Sequence, residues 1–264
     1  LASPFNLFMG LVSKEAIPDF ILITTILKMS FAGLNFYLLC RFTQHKIAFS
    51  HYAFAVGYAL ISYSFIYLSN YMWIDGVMIL PLMVLGLNLL KESKVCYLYS
   101  ISLAYSLISS WYIGFMTCVF SVFYFMYLFF SDAKSFKEKM PFFLRYVIYS
   151  LIGGFLGSIC WLTAFLHFSG TKATQSFPKF DFGSLSMLLT GFLENNYMTT
   201  GNITQYFGYA SMFTGMVSLV FFLRSFFNPG IKVRERISYG VLFFFYCLCI
   251  LSTTLNALMH GGRE

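Results

Sequence analysis

Residues 19–46 read DFILITTILKMSFAGLNFYLLCRFTQHK, and this stretch decides the fold class. Its apolar part, 19–40, meets the requirement of about 20 residues for a helix that crosses the hydrocarbon core of a membrane. The run ends at Arg41 and Lys46, and short loops that carry Lys or Arg stay on the cytoplasmic side. The stretch therefore predicts a transmembrane helix that starts outside and ends at the cytoplasm.

The same pattern recurs along the chain, because basic clusters occupy every second loop. They hold 12 of the 17 basic residues, namely Arg41/Lys46, Lys91/Lys94, Lys134/Lys137/Lys139/Arg145 and Arg224/Lys232/Arg234/Arg236. Between them lie eight candidate spans, at 19–40, 47–69, 74–90, 95–110, 112–131, 143–167, 207–227 and 236–256. An even number of spans places both ends on one side, and the basic loops make that side extracytoplasmic.

Composition supports a membrane protein and argues against a nucleic-acid binder. The chain is 59% hydrophobic and 10% charged, whereas soluble domains carry about 25% charged residues. The net charge of +7 lies next to helix ends, where it sets topology and meets anionic lipid. We therefore predict an all-α, polytopic transmembrane helix bundle, with residues 1–264 as a single transmembrane domain and no nucleic-acid partner.

Two local stretches add detail to this bundle. Residues 168–206 are rich in Ser, Thr, Gly and Asn and form the longest predicted extracytoplasmic loop. Within it, the apolar segment 185–193 predicts a short helix that lies in the membrane interface. In the sixth span, Gly153, Gly154 and Gly157 predict close helix packing.

Lys28 is the most unusual residue of the first span. It lies well inside the apolar run, where an ammonium costs at least ~2.5–3.5 kcal/mol on insertion scales. Asn35 follows seven residues later on the same helix face, so the two predict a polar stripe toward the bundle interior. Lys28 could bind a phosphate or carboxylate of a substrate. It could equally form a structural ion pair or extend toward the membrane surface.

Asp75 opens the third span, just after Trp73. A carboxylate at a helix N-terminus is favoured by the backbone dipole and can simply cap the helix. The same position at the outer surface would suit a general base or an acceptor for a substrate hydroxyl. Both interpretations of Asp75 stay open from the residues alone.

Aromatic and basic residues at the outer surface are further candidates for a substrate site. Trp73, Trp111 and Tyr112 could form an interfacial belt, stack on a sugar ring or line a lipid groove. His260 and Arg263 lie on the predicted outer side and could serve an anionic ligand. No metal-ligand spacing occurs, so the residues predict no metal site and no cofactor.

Five strings, taken in order, resemble the bacterial YfhO-like membrane proteins. They are LASPFNL (1–7), LKMSFAGLNFY (27–37), MWID with LPL (72–75 and 80–82), ISSWYIGFM (108–116) and LNALMHG (255–261). In the last string Met259 stands where the family usually has Trp. The resemblance runs over essentially the whole chain.

The resemblance implies a GT-C-type glycosyltransferase of the bacterial cytoplasmic membrane. The implied donor is a sugar on undecaprenyl phosphate, and the implied acceptor is an envelope polymer such as lipoteichoic acid at the outer face. It also implies an internal fragment, which lacks a first outer loop and a C-terminal part. Because the missing loop usually carries the principal base, we expect the fragment alone to be inactive, and a divalent metal held by that loop stays open.

Within the fragment, the implied roles fall on a few residues. Lys28 is the expected phosphate partner, Asp75 the tentative catalytic carboxylate, and His260 and Arg263 the outer helpers. The main alternative is a polytopic transporter or flippase for a lipid or solute, which would also explain a lysine inside the membrane. A third is a membrane scaffold without catalysis.

Overall fold

The structure is a computed structural model, and it describes residues 3–45, 48–66, 70–92, 97–168 and 216–252. Regular structure in these ranges is helical. Two turns of 3-10 helix, Phe8–Leu11 and Lys14–Ala16, lie between the first two helices. The α-helices are α1 (Pro4–Leu7), α2 (Ile17–Gln44), α3 (Phe49–Ala59), α4 (Ser62–Ile66), α5 (Ile74–Lys91), α6 (Tyr97–Ser109), α7 (Trp111–Ser131), α8 (Phe136–Leu156), α9 (Ser158–Phe168), α10 (Met216–Ser225) and α11 (Val233–Leu251).

The all-α membrane bundle predicted from the sequence is confirmed. In the described ranges, three helical stretches are long and apolar enough to cross a membrane: Lys14–Gln44, Ile74–Lys91 and Trp111–Ser131. Pro18 lies in the first turn of α2, where its missing N–H costs nothing. The number of spans and the side on which each end lies stay predictions, as does the single transmembrane domain.

Two predicted spans differ from the helices observed. The segment 47–69 is divided into α3 and α4, and the segment 143–167 is divided at Gly157 into α8 and α9. Helix α8 also begins earlier than predicted, at Phe136, because the Ser135 N–H donates to Glu138 Oε2 (2.8 Å) and so closes a charged first turn. The predicted interfacial helix, 185–193, lies outside the described residues, as do the other residues of 169–206 and the first part of the seventh predicted span, 207–215.

The chain divides into two compact units, the first formed by residues 1–128 and 134–167. Helix α5 is central to this unit and packs against α2, α6 and α8. Its side chains Met83, Leu87 and Leu90 are fully buried. An apolar helix whose surface is this well covered belongs in the interior of a bundle.

Helices α5, α6 and α8 approach closely at glycines. A Cβ added at Gly86 of α5 would lie 2.6 Å from the Tyr99 backbone nitrogen, and one at Gly153 of α8 would lie 2.9 Å from the Ser100 carbonyl oxygen. Gly157 similarly faces Leu107, whereas Gly154 faces open space. Close packing of the sixth span is therefore confirmed at Gly153 and Gly157 and wrong at Gly154.

Hydroxyl groups join α6, α7 and α8 in the same unit. The Tyr99 hydroxyl pairs with Ser150 Oγ at 2.8 Å and donates to Ser121 Oγ at 3.4 Å. Nearby, Ser106 Oγ donates to Thr117 Oγ1 at 3.0 Å. Hydrogen bonds of this kind help to hold helices together in lipid, where the hydrophobic effect provides no driving force between them.

Helix α5 contains Pro81, which has no N–H to donate to the carbonyl of Val77. The Tyr58 hydroxyl of α3 donates to that carbonyl oxygen at 2.8 Å. A side chain from a neighbouring helix thus satisfies a backbone group that would otherwise lack a partner in the membrane.

The second unit, formed by 129–133 and 168–264, includes α10 and α11. These two helices pack through aromatic rings, with Phe222 and Phe243 centroids 4.7 Å apart and Phe226 and Tyr239 centroids 5.0 Å apart. Ser225 Oγ adds a hydrogen bond to the Tyr239 hydroxyl at 3.1 Å. The pair is therefore a helical hairpin with an aromatic interface.

The glycine contacts predict that two matched glycine-to-alanine substitutions differ in their effect on stability. Gly86→Ala should lower the stability of the protein by ~1–3 kcal/mol, because the added methyl meets the backbone of α6. Gly154→Ala should leave it unchanged or raise it by up to ~1 kcal/mol, since alanine favours the helix and nothing obstructs it. Thermal unfolding in detergent measures both, and equal melting temperatures would contradict the close α5–α6 approach.

Candidate functional site

A buried ion pair joins the two charged residues that the sequence singles out. Lys28 lies in the first half of α2 and Asp75 in the first turn of α5. Lys28 Nζ is 2.8 Å from Asp75 Oδ2, and both side chains are 0% exposed. The described structure thus brings Lys28 and Asp75 together as direct partners.

The ammonium of Lys28 has further partners around it. Lys28 Nζ donates to the Tyr71 carbonyl oxygen at 3.3 Å. The rings of Phe5 and Tyr71 lie 5.4 Å and 5.3 Å from the same nitrogen, within the range of cation–π attraction. The charge is therefore compensated by one carboxylate, one carbonyl and two aromatic rings.

Two hydroxyl groups complete the shell of Asp75. Asp75 Oδ1 accepts a hydrogen bond from the Tyr105 hydroxyl of α6 at 2.7 Å and from Ser3 Oγ at 3.0 Å. Sequence reasoning missed both residues. Ser3 lies in the first string of the family resemblance, which could have drawn attention to it, whereas Tyr105 is one of 19 tyrosines and carries no distinguishing signal.

Asn35 lies on the same face of α2 as Lys28, as predicted. Its Nδ2 donates to the Met78 carbonyl oxygen of α5 at 2.7 Å. Asn35 and Lys28 are both buried, so the polar stripe of α2 faces the interior and is used to hold α5.

This geometry narrows the alternatives left open by the sequence. Lys28 does not extend to the membrane surface, because its ammonium is buried and paired. The hydrogen bonds of Asp75 go to side chains, and the N-cap position of α5 is Trp73, which makes no side-chain cap. A structural ion pair and a substrate site remain compatible with the pair.

The aromatic candidates lie in two groups. The rings of Trp73 and Tyr112 have centroids 5.7 Å apart and an interplanar angle of 33°. Trp111 instead contacts Phe115 on its own helix, at 5.8 Å. All three candidates are half-buried, so they suit an interfacial belt as well as a surface for a sugar ring.

Two predicted site residues, His260 and Arg263, lie outside the described residues. Within the ranges that the structure describes, no group of three or more His, Cys, Asp or Glu side chains is arranged to hold a metal ion. The roles predicted for the site residues stay predictions.

These features define a polytopic helical membrane protein with a buried charged centre. The family model of the bacterial membrane protein YfhO matches residues 1–264, so the chain belongs to the YfhO family. Searches of the curated proteins and of the solved structures return no match.

The ion pair predicts that substitutions of Lys28 and Asp75 have strongly non-additive effects on the unfolding free energy. Lys28→Met and Asp75→Asn should each destabilise the protein by ~3–5 kcal/mol, because each leaves part of a buried polar pair without its partner. The double variant should be destabilised by clearly less than the sum of the two. Thermal unfolding in detergent measures the cycle.

Lys14→Met is the matched control for this cycle, since Lys14 is exposed just before α2. It should change the unfolding free energy by no more than ~0.5 kcal/mol. If the changes in unfolding free energy of the Lys28 and Asp75 variants add strictly, the interaction between the two side chains contributes nothing to stability.

The Tyr105 contact can be tested in the same way. Tyr105→Phe should cost ~1.5–3 kcal/mol, because it removes a hydrogen bond to a buried carboxylate. Tyr97→Phe is the control, as Tyr97 lies on the same helix and is exposed. Equal unfolding temperatures for the two variants would rule out a stabilising bond at Tyr105.

Proposed function

We propose that this protein is a membrane glycosyltransferase that uses a polyprenyl-phosphate sugar as donor. It acts at the outer face of a bacterial cytoplasmic membrane and transfers the sugar to an envelope polymer such as lipoteichoic acid. Membership of the YfhO family supports the membrane setting. The observation that carries the proposal is the fully buried Lys28–Asp75 pair, held by Tyr105 and Ser3.

The reaction requires charge stabilisation at the leaving group. The hydroxyl of the acceptor loses its proton to a carboxylate and attacks the anomeric carbon of the donor sugar. The bond from that carbon to the phosphate oxygen breaks, and its electron pair leaves with the lipid phosphate. A preorganised cation in a water-poor site stabilises the departing phosphate most effectively, and Lys28 is the cation proposed for this role.

Asp75 is proposed to position Lys28 and the substrate rather than to act as the sole base. Its two carboxylate oxygens already accept hydrogen bonds from Lys28, Ser3 and Tyr105. A carboxylate whose oxygens are occupied in this way is poorly placed to take a proton from an incoming hydroxyl. The principal base of the reaction is therefore proposed to be a residue other than Asp75.

Substrate access to Lys28 requires a local movement in this proposal. Lys28 Nζ has three donors, and Asp75 and the Tyr71 carbonyl accept two of its hydrogen bonds. The segment Ser3–Phe5 contributes a hydrogen bond to Asp75 and a ring near the ammonium. Displacement of this short segment would open the Lys28 ammonium to the phosphate of the donor.

The other candidates take supporting roles. Trp73 and Tyr112 are proposed to contact the sugar or the acceptor near the start of α5. Trp111 contacts the lipid, and His260 and Arg263 assist the phosphate from outside. Asn35 is proposed to hold α5 against the polar face of α2 on which Lys28 lies.

The test uses the intact protein with undecaprenyl-phosphate sugars and lipoteichoic acid, and it detects transferred sugar by mass spectrometry. The double variant Lys28→Met/Asp75→Asn should remain folded, because it removes both charges together. It should lose transfer by at least ~100-fold, the scale of one electrostatic contact in the transition state. Lys14→Met should transfer sugar at the normal rate.

Normal turnover in the folded double variant would remove the pair from the mechanism. The pair would then have a structural role, as in the scaffold interpretation. A parallel change in turnover and in folded yield for each single variant would lead to the same conclusion.

A lipid or solute transporter is the second candidate, and one observation favours it. Ionisable pairs within transmembrane segments mark transport and proton pathways in many membrane proteins, and the Lys28–Asp75 pair is of this type. Reconstituted vesicles separate the two functions. A transporter relocates a fluorescent polyprenyl-phosphate lipid across the bilayer without adding a sugar to any acceptor, whereas the enzyme forms the covalent product.

A further inference from the structure

A groove runs along the surface of the second unit, beside α11. Its volume is about 340 Å³, and it is lined by Phe226, Arg236, Ile237, Gly240, Val241 and Phe244. Apart from Arg236, these side chains are apolar. The groove thus has one charged end and an otherwise hydrophobic course.

The helical repeat explains how the groove arises. The α11 residues that line it are spaced i, i+1, i+4, i+5 and i+8 from Arg236, so they share one helix face. From Arg236 to Phe244 this face extends ~12 Å along the axis. Gly240 creates the space, because a Cβ there would lie 3.1 Å from the Phe226 ring.

Arg236 is held in place at the charged end. Its Nη2 donates to the carbonyl oxygens of Asn228 (2.7 Å) and Ile231 (2.9 Å) in the preceding loop. Its Nε is buried and has no acceptor among the described residues. Because a guanidinium carries five donors and buried donors normally find acceptors, this end of the groove has unused capacity for an anion.

The surrounding charge is predominantly positive. Arg224, Lys232 and Arg234 lie on either side of the same loop, and Glu235 is the acidic residue next to Arg236. The basic-loop pattern predicts that this loop lies at the cytoplasmic surface of the membrane. Anionic lipids of that leaflet attract basic residues by ~1 kcal/mol per Lys or Arg.

We propose that this groove is a binding site for an anionic phospholipid of the cytoplasmic leaflet. One acyl chain lies along Gly240, Val241 and Phe244, and the lipid phosphate accepts hydrogen bonds from Arg236. Ile237 and Val241 are exposed in the protein alone, and the acyl chain covers them. The site is independent of the Lys28–Asp75 centre and of the proposed enzymatic activity.

Native mass spectrometry of the detergent-purified protein tests this proposal. Phosphatidylglycerol and phosphatidylcholine with identical acyl chains are added separately, and the bound fraction is measured at several salt concentrations. Both lipids carry a phosphate, but the choline cation of phosphatidylcholine cancels its charge and is repelled by Arg236, so we expect phosphatidylglycerol to bind about tenfold more tightly. Arg236→Gln should abolish this preference, while Arg236→Lys should keep most of it.

Arg234→Gln is the matched charge control, since Arg234 lies in the same first turn of α11 but does not line the groove. It should change phosphatidylglycerol binding by no more than about twofold. Equal losses for Arg234→Gln and Arg236→Gln would overturn the proposal, because they would show general attraction of anionic lipid to the loop.

Two variants test the acyl-chain part of the groove. Gly240→Leu fills the space, and Val241→Asn places a polar group there without filling it. Both should weaken binding of the two lipids alike, and unfolding temperatures confirm that each variant is folded. Unchanged binding in a folded Val241→Asn variant would overturn the assignment of the chain to this groove, whatever the outcome for Gly240→Leu.

Discussion

The Lys28–Asp75 ion pair is the constraint on which the arrangement of the first unit depends. A charge inside a membrane is tolerated only when a partner compensates it, and a buried pair is stable only when its remaining hydrogen-bonding capacity is also used. The structure meets both conditions. Tyr105 and Ser3 bind Asp75, while the Tyr71 carbonyl and two aromatic rings surround Lys28. The pair thus links α2, α5, α6 and the N-terminal segment through contacts to the same two side chains.

Helix α5 receives most of the polar and close-packing contacts in the first unit. Lys28 and Asn35 of α2 both bond to it, and Tyr58 of α3 satisfies the carbonyl that Pro81 leaves without a helical partner. About three turns after Asp75, Gly86 lets the backbone of α6 approach. A helix held by polar contacts to α2 and α3 and by close backbone packing against α6 has little freedom to rotate, which keeps Asp75 directed at Lys28.

The sequence predicted the long apolar elements well, because their signal is local. The bounds predicted for the spans at 74–90 and 112–131 differ from those of α5 and α7 by one residue at one end each. The predictions were less accurate where the chain interrupts an apolar run. The charged first turn of α8 and the division at Gly157 depend on hydrogen bonds and packing, which an apolar window does not detect.

The candidate site likewise contains residues with a local sequence signal and residues that matter only through a tertiary contact. Lys28, Asn35 and Asp75 are conspicuous in the sequence because polar residues are costly within apolar runs. Ser3, Tyr105 and the Tyr71 carbonyl are ordinary groups whose importance comes from the atom they contact. Such residues become recognisable only when their partner is known.

The sequence by itself determined the class of the protein and singled out the two charges that need an explanation. These properties depend on the transfer of side chains between water and lipid, which each residue contributes separately. The tertiary structure decided that Lys28 and Asp75, 47 residues apart, compensate each other, and that hydroxyls from two further segments complete their shell. That outcome depends on how the helices pack, because a contact over such a separation is set by the relative positions and rotations of whole helices.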